Sequence, residues 1–170
     1  ARQAWRDSLA SHITDEMPLH PMKVFKEVEP LIDKDSFLII DGGDYVQWGR
    51  SYYKARMPGH WTRLGPLGHL GVGLPYALTA RLVDPNAKIF LFIGDGSVGF
   101  YSMEYDTAIR HNLPFTAVMG NDAAWGIDKS FQMAYYGRAV GTELRFVHYE
   151  KMVEALGGYG EYVERPEDVA

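Results

Sequence analysis

The chain has 170 residues, 46% hydrophobic and 23% charged, with a net charge of −5. Those proportions describe one ordinary folded domain rather than a disordered chain, and the acidity gives no support to a nucleic-acid or anionic-membrane partner. The absence of cysteine rules out disulfides, Fe–S clusters, thiolate zinc sites and a Cys nucleophile, and it fits a reducing, cytoplasmic setting.

The first seven residues, Ala1-Arg2-Gln3-Ala4-Trp5-Arg6-Asp7, do not read as a signal peptide, and the missing Met points to a fragment or a processed chain. No apolar run approaches the ~20 residues that cross a bilayer. Residues 1–18 read as a linker or lead-in segment, anchored by Trp5 and Leu9. A domain follows over residues 19–170. Pro21 in Leu19-His20-Pro21-Met22 suits the first turn of a helix, where a missing N–H costs nothing. Phe25, Val28, Leu31 and Ile32 recur at helical spacing and form its expected buried face. Ser36-Phe37-Leu38-Ile39-Ile40 is a continuous apolar run, as in a strand covered on both faces. It ends in Asp41-Gly42-Gly43-Asp44.

Residues 56–68 are rich in Gly and Pro and read as an irregular loop. A helix is expected over Leu70–Val83, then a turn at Asp84-Pro85-Asn86. Lys88–Ile93 reads as a buried strand, Tyr101–Asn112 as a helix stopped by Leu113-Pro114, and Phe115–Met119 as the next strand. His148–Leu156 reads as a further helix leading to a strand near Glu161-Tyr162-Val163. Alternating strands and helices imply a three-layer α/β/α domain with a parallel sheet. No internal repeat or low-complexity tract interrupts it.

Three expected strands end in polar, Gly-rich segments: Asp41-Gly42-Gly43-Asp44, Gly94-Asp95-Gly96-Ser97 and Gly120-Asn121-Asp122. Strand carboxyl ends share one edge of an open parallel sheet, and ligands bind there. Gly94 and Gly96 let a ligand approach the backbone, and the amides opening the next helix favour an anion. Asp95 and Asp122 stand one strand–helix–strand unit apart, so their carboxylates would meet at neighbouring strand ends. Two carboxylates beside a phosphate-like anion suit Mg²⁺, which takes oxygen ligands shared between protein and phosphates. A Gly-Asp-Gly by itself is only a tight turn; the strand before it, the helix after it and the second acidic strand end raise it above that.

These segments together resemble a known family. Gly94-Asp95-Gly96, the intervening residues 97–120 and then Asn121-Asp122 resemble the thiamine diphosphate-binding motif. The segment Leu64–Pro75 resembles the part that holds the cofactor's aminopyrimidine. Asp41-Gly42-Gly43-Asp44 resembles the first diphosphate-binding turn. Gly94-Asp95-Gly96-Ser97-Val98-Gly99-Phe100 and Trp125-Gly126 most resemble the benzaldehyde lyase, 2-hydroxyacyl-CoA lyase and acetolactate synthase-like group. The resemblance runs from about Leu19 to the end and covers the family's C-terminal, diphosphate-binding domain. It is specific for the superfamily and weak for the substrate.

The resemblance implies the thiamine diphosphate-binding fold and a set of roles. Asp95, Asp122 and the carbonyl of Ala124 would bind Mg²⁺. Gly43, Asp44, Tyr45, Gly94, Gly96 and Ser97 would surround the diphosphate. Gly68 would accept from the cofactor's amino group, and Leu70 would wedge the cofactor into its bent shape. Trp125, Gly126 and Ile127 would close over it. The family usually carries Asn at the position of Asp122; a shifted register would make Asn121 the ligand, but Trp125-Gly126 then fits the lyase-like pattern only with a gap. The implied chemistry is cleavage or formation of a C–C bond beside a carbonyl, by a 2-hydroxyacyl-CoA lyase, an acetolactate synthase-like carboligase or a 2-oxo-acid decarboxylase acting on a small molecule. The resemblance also implies a pyrimidine-binding domain, in the same polypeptide or a partner subunit, that supplies an activating Glu, in a homodimer or homotetramer. Nothing in this chain matches that domain. A separate small subunit and a non-catalytic cofactor-binding or assembly module are the other readings. The polypeptide stops at Ala170 where the family continues with a helix and a strand, which implies C-terminal incompleteness.

Other residues carry weaker signals. His69 stands beside Gly68 and Leu70 and is a candidate acid/base or substrate contact. Histidines 12, 20, 60, 111 and 148 lack metal-ligand spacing. Glu104 reads as a helix-surface residue. Tyr52-Tyr53, Trp61 and Tyr135-Tyr136 could line a channel or an interface, with packing as the ordinary alternative. Arg50, Lys54, Arg56 and Arg63 could attract an anionic tail, though a scattered basic loop is usually only solvated. Ser97 lacks the Gly-x-Ser-x-Gly context of a hydrolase nucleophile, and the Gly68–Gly73 cluster does not match Gly-x-Gly-x-x-Gly.

Overall fold

A computed structural model describes residues 2–169. Its centre is a four-stranded, all-parallel sheet: β1 (Phe37–Asp41), β2 (Trp61–Arg63), β3 (Ile89–Gly94) and β4 (Thr116–Gly120), in the spatial order β2-β1-β3-β4. Leu38 pairs with Trp61 on one side of β1 and with Phe90 on the other. Gly94 pairs with Gly120, so the two strand ends lie level.

The apolar runs of β1 and β3 are buried throughout because each strand serves two cores. Phe37, Ile39, Ile89, Leu91 and Ile93 face one side. They pack with Leu74, Ala77 and Ala80 of α4 (Gly73–Val83), Val98 of α5 (Asp95–Tyr101) and Tyr105 of α6 (Glu104–Arg110). Leu38, Ile40, Phe90 and Phe92 face the other side, against Phe25 of α2 (Pro21–Val28) and Val46 of α3 (Asp44–Tyr52). The alternation follows from the two-residue period of a strand, and it produces the expected three layers.

Several local expectations are corrected. Helix α2 begins at Pro21, with the His20 side chain accepting from the Met22 amide at 3.1 Å. Pro30 then tightens the chain into a 3₁₀ turn at Glu29–Leu31, so Ile32 stays buried but Leu31 is 57% exposed. Residues 44–52 form a helix that the sequence disguised, because Gly49 stands mid-helix as a breaker would. Its missing Cβ admits the Phe25 ring. The expected loop at 56–68 contains β2, a three-residue edge strand held only by β1. The helix expected from Leu70 starts at Gly73. The helix expected over Tyr101–Asn112 is two short helices: α5 begins at Asp95 itself, and α6 ends at Arg110. Helix α7 (Gly126–Tyr136) was not foreseen, and α8 (Tyr149–Ala155) was. Residues 161–163 form no strand; Tyr162 lies against His148 with ring centroids 5.2 Å apart. In the lead-in segment, α1 (Arg2–Ala10) buries Leu9, but Trp5 is 57% exposed and anchors nothing. Among the described residues no helix is long and apolar enough to cross a membrane.

The strand order dictates where a ligand can sit. From β1 the chain crosses by α3 to β2 on one side, while from β3 it crosses by α5 and α6 to β4 on the other. Helix α3 packs on one face and α5 and α6 on the opposite face. The segments leaving the adjacent strands β1 and β3 therefore diverge, and they open a crevice at the carboxyl edge, the switch point of a doubly wound sheet.

Candidate functional site

An open cleft occupies that crevice. Its lining comes from three strand ends. Gly43, Asp44 and Tyr45 follow β1; Gly94, Asp95, Gly96 and Ser97 follow β3; Gly120, Asp122, Ala124, Trp125, Gly126, Ile127 and Asp128 follow β4; Leu70 reaches in from the loop before α4. All but two of the residues that the resemblance assigns to the cofactor, the metal or catalysis meet here. Gly68 and His69 are the exceptions. Gly68 takes φ +63° in open space on the rim, and the His69 Nε2 lies 3.4 Å from the Tyr101 hydroxyl, outside the lining. Gly120, expected only as part of the strand end Gly120-Asn121-Asp122, and Asp128, which was not singled out, also line the cleft; a Cβ on Gly120 would enter the Tyr45 ring.

Asp95 dominates the electrostatics. It is 3% exposed, and among the described residues its Oδ2 has no hydrogen-bond partner. Burial, then the nearby Asp122 carboxylate, push its pKa from 3.8 up to about 6, against the pull of the Gly96 and Asp95 amides. A buried carboxylate beside a second one favours protonation or a cation. Asn121 turns the other way: its Nδ2 donates to the Val147 carbonyl at 3.1 Å, and it does not line the cleft. No group of three metal-ligating side chains occurs among the described residues, so a metal here would draw further oxygens from backbone or ligand.

The walls leave no spare room. A Cβ on Gly96 would stand 2.9 Å from the Trp125 ring, and one on Gly126 would stand 3.0 Å from both an Asp122 oxygen and the Asp44 Cβ. Ala123 holds φ +54°, a conformation that L side chains rarely adopt. A segment the sequence reading missed secures it. The Leu144 amide donates to the Ala123 carbonyl at 2.8 Å, and the Trp125 amide donates to Thr142 at 2.9 Å. Glycines 137 and 141, both at positive φ, were the available signal that the chain turns back there.

The remaining candidates disperse. The Tyr53 hydroxyl donates to the Phe25 carbonyl at 2.7 Å and the Tyr52 hydroxyl to Glu29 at 2.7 Å, so both are packing residues. Trp61 packs on the α2–α3 core. Arg56 donates to the Ile32 carbonyl and Arg50 to Gln47, away from the cleft. Glu104 opens α6. Tyr135 and Tyr136 are each 76% exposed.

Residues 41–170 match the family model described as thiamine pyrophosphate enzyme, C-terminal TPP binding domain. A probable acetolactate synthase of Mycobacterium bovis is 41% identical over 161 residues, covering 94% of this chain and 29% of that protein. The 2-hydroxyacyl-CoA lyase 2 of Homo sapiens is 34% identical over 163 residues, covering 96% of this chain and 26% of that protein. The same-named protein of Danio rerio is 35% identical over 153 residues, 90% of this chain and 25% of its own length. The chain thus spans less than a third of the length of these relatives.

Proposed function

The chain belongs to the thiamine pyrophosphate enzyme family as a C-terminal cofactor-binding domain, and from that premise we propose that its cleft holds thiamine diphosphate with Mg²⁺ in an enzyme that cleaves or forms C–C bonds beside a carbonyl. The observation that carries this reading is the buried, partnerless Asp95 oxygen beside Asp122. A buried carboxylate oxygen left without a partner beside a second carboxylate suits a hard cation whose other ligands are diphosphate oxygens and waters. Asp95, Asp122 and the Ala124 carbonyl are the metal ligands. Gly43, Asp44, Tyr45, Gly94, Gly96 and Ser97 surround the diphosphate, the absent side chains letting backbone amides approach it. Leu70, Trp125, Gly126 and Ile127 shape the rest of the cleft, and Gly68 presents its carbonyl at the rim.

When bound, the cofactor supplies an electron sink for the carbanion left by C–C cleavage, and the protein supplies binding, orientation and electrostatics. Asp95 and Asp122 fix the charge of the metal end. Trp125, T-shaped against Phe100 at 5.9 Å, limits water on the open side. His69, near the mouth, is a candidate substrate contact.

The substrate class is a 2-hydroxyacyl or 2-oxo-acid molecule, supported by the likeness to an acetolactate synthase and a 2-hydroxyacyl-CoA lyase. The activating Glu comes from a pyrimidine-binding domain outside these residues. Helix α7 supports such a cover: its first residues line the cleft, among the described residues none of α7 is buried, and Phe131, Met133, Tyr135 and Tyr136 stand exposed further along it. The assembly is a cytoplasmic homodimer or homotetramer. The test is the full-length protein with thiamine diphosphate, Mg²⁺ and a panel of 2-oxo acids, 2-hydroxyacyl-CoAs and aldehydes. Turnover that depends on both cofactor and metal is expected; turnover of none of them sinks the enzyme reading.

A further inference from the structure

We propose that Asp41 is a positioning residue whose buried carboxylate sets the loop carrying Gly68 and Leu70 against the turn carrying Asp95; this rests on the cofactor reading above. Asp41 ends β1 and is completely buried. Its two oxygens accept from the backbone amides of Gly71 at 3.1 Å and Gly73 at 2.7 Å. The Ser97 hydroxyl acts on the same carboxylate, and a Cβ on the adjoining Gly42 would stand 3.2 Å from that hydroxyl and 3.1 Å from the Gly94 amide. The side chain therefore ties the end of β1 to the loop before α4, and the adjoining Gly42 packs against the turn after β3.

The loop cannot set its own place. Gly65, Gly68 and Gly71 all hold positive φ, at 70°, 63° and 89°, so its path demands conformations glycine alone adopts freely. Among the described residues its one internal backbone hydrogen bond is the 3.4 Å contact from Gly68 to Gly65. Position must come from its attached end. There the fit is tight: a Cβ on Gly73 would stand 2.7 Å from the Asp41 Cβ, and one on Gly71 would stand 2.6 Å from the Phe100 Cβ. Leu70 follows directly from the Gly71 anchor and enters the cleft, so a shift of Gly71 moves it.

A carboxylate is a costly way to fill this position. Burial disfavours its charge, which the Gly73 and Gly71 amides only partly offset. An apolar residue such as the neighbouring Ile40 would fill the space without that penalty. What the carboxylate adds is two directed, charge-assisted bonds to one loop.

The test uses the full-length protein and the nearly isosteric Asp41→Asn, which loses one of the two acceptors. Two probes are titrated by calorimetry: Mg²⁺ with thiamine diphosphate, and Mg²⁺ with inorganic pyrophosphate. The second engages only the metal end. We expect at least a tenfold loss for thiamine diphosphate, the scale of one charged hydrogen bond, with pyrophosphate affinity unchanged within twofold. Asp41→Glu keeps the charge but displaces the oxygens, and it should show the same selective loss. Amide exchange in the wild type should protect Gly71 and Gly73 as strongly as β3. Equal loss of both probes, no loss of either, or loop-like exchange at Gly71 and Gly73 overturns the proposal, and the exchange reading stands even if both variants fail to fold. A wild type that binds pyrophosphate and protects these amides but ignores thiamine diphosphate sinks the cofactor reading instead.

Discussion

Asp95→Asn should make the metal-free chain more stable near neutral pH while destroying its metal site. Asp95 is 3% exposed, and its pKa rises from 3.8 to about 6 on folding. The folded state then holds its proton more tightly than the unfolded state, so this group lowers stability as pH rises from about 4 through 6 and is level above that. The full difference is ~3 kcal/mol at 1.36 kcal/mol per unit, and about 1.4 kcal/mol of it falls between pH 5 and pH 7.5. The neutral amide of Asp95→Asn removes this term. Urea denaturation of the metal-free 170-residue chain at the two pH values, wild type against variant, cancels the titrating groups that do not interact with Asp95. The wild type should lose stability relative to the variant by about 1.4 kcal/mol on going from pH 5 to pH 7.5. Saturating Mg²⁺ should stabilise only the wild type, because it binds the folded carboxylates. Parallel pH dependence in the two proteins would refute the argument that Asp95 carries a buried, uncompensated charge.

Below pH 6 protons compete with the metal, so apparent Mg²⁺ affinity should fall toward tenfold per pH unit, read by calorimetry. Asp122→Ala should weaken Mg²⁺ binding at least tenfold, whereas Asn121→Ala, whose Nδ2 donates to the Val147 carbonyl and which does not line the cleft, should change it by less than about threefold; the reverse order means that Asn121, through an Oδ1 without a partner among the described residues, is the ligand. Gly96→Ala places a Cβ 2.9 Å from the Trp125 ring, and the partly exposed ring can swing, so thermal stability should drop by less than ~2 kcal/mol while cofactor affinity drops at least tenfold. Phe92→Ala empties a fully buried site in the α2–α3 core and should cost ~3–5 kcal/mol in urea denaturation.

Much of this was legible in one dimension. The runs at 37–40 and 89–93 are uninterruptedly apolar because both faces of each strand meet helices. Gly94-Asp95-Gly96 and Gly120-Asn121-Asp122 stand out because a strand end that meets a ligand needs small residues and oxygens. What misled were residues serving a neighbour rather than their own element. Gly49 breaks helix propensity so that Phe25 can pack, Trp61 enters a three-residue strand because β1 has a free edge, and Gly96 reads as a turn although it lies in the first turn of α5.

The sequence alone determined the fold class, the two carboxylates and the glycines around them, since each follows from residue type and spacing. Tertiary structure decided the rest. It turned the Asn121 side chain to Val147 and left Asp122 in the cleft, a choice that adjacent positions do not reveal. It buried Asp95 beside Asp122, which raises its proton affinity, and among the described residues left its Oδ2 without a partner, suited to a cation. It set His69 beside the Tyr101 hydroxyl, outside the cleft lining, and tied Leu144 to the strained Ala123 and Thr142 to Trp125. It also gave Asp41, only the last residue of an apolar strand in the sequence, the amides of a loop thirty residues away. Which groups share a desolvated space depends on how distant segments pack, and no local pattern encodes that.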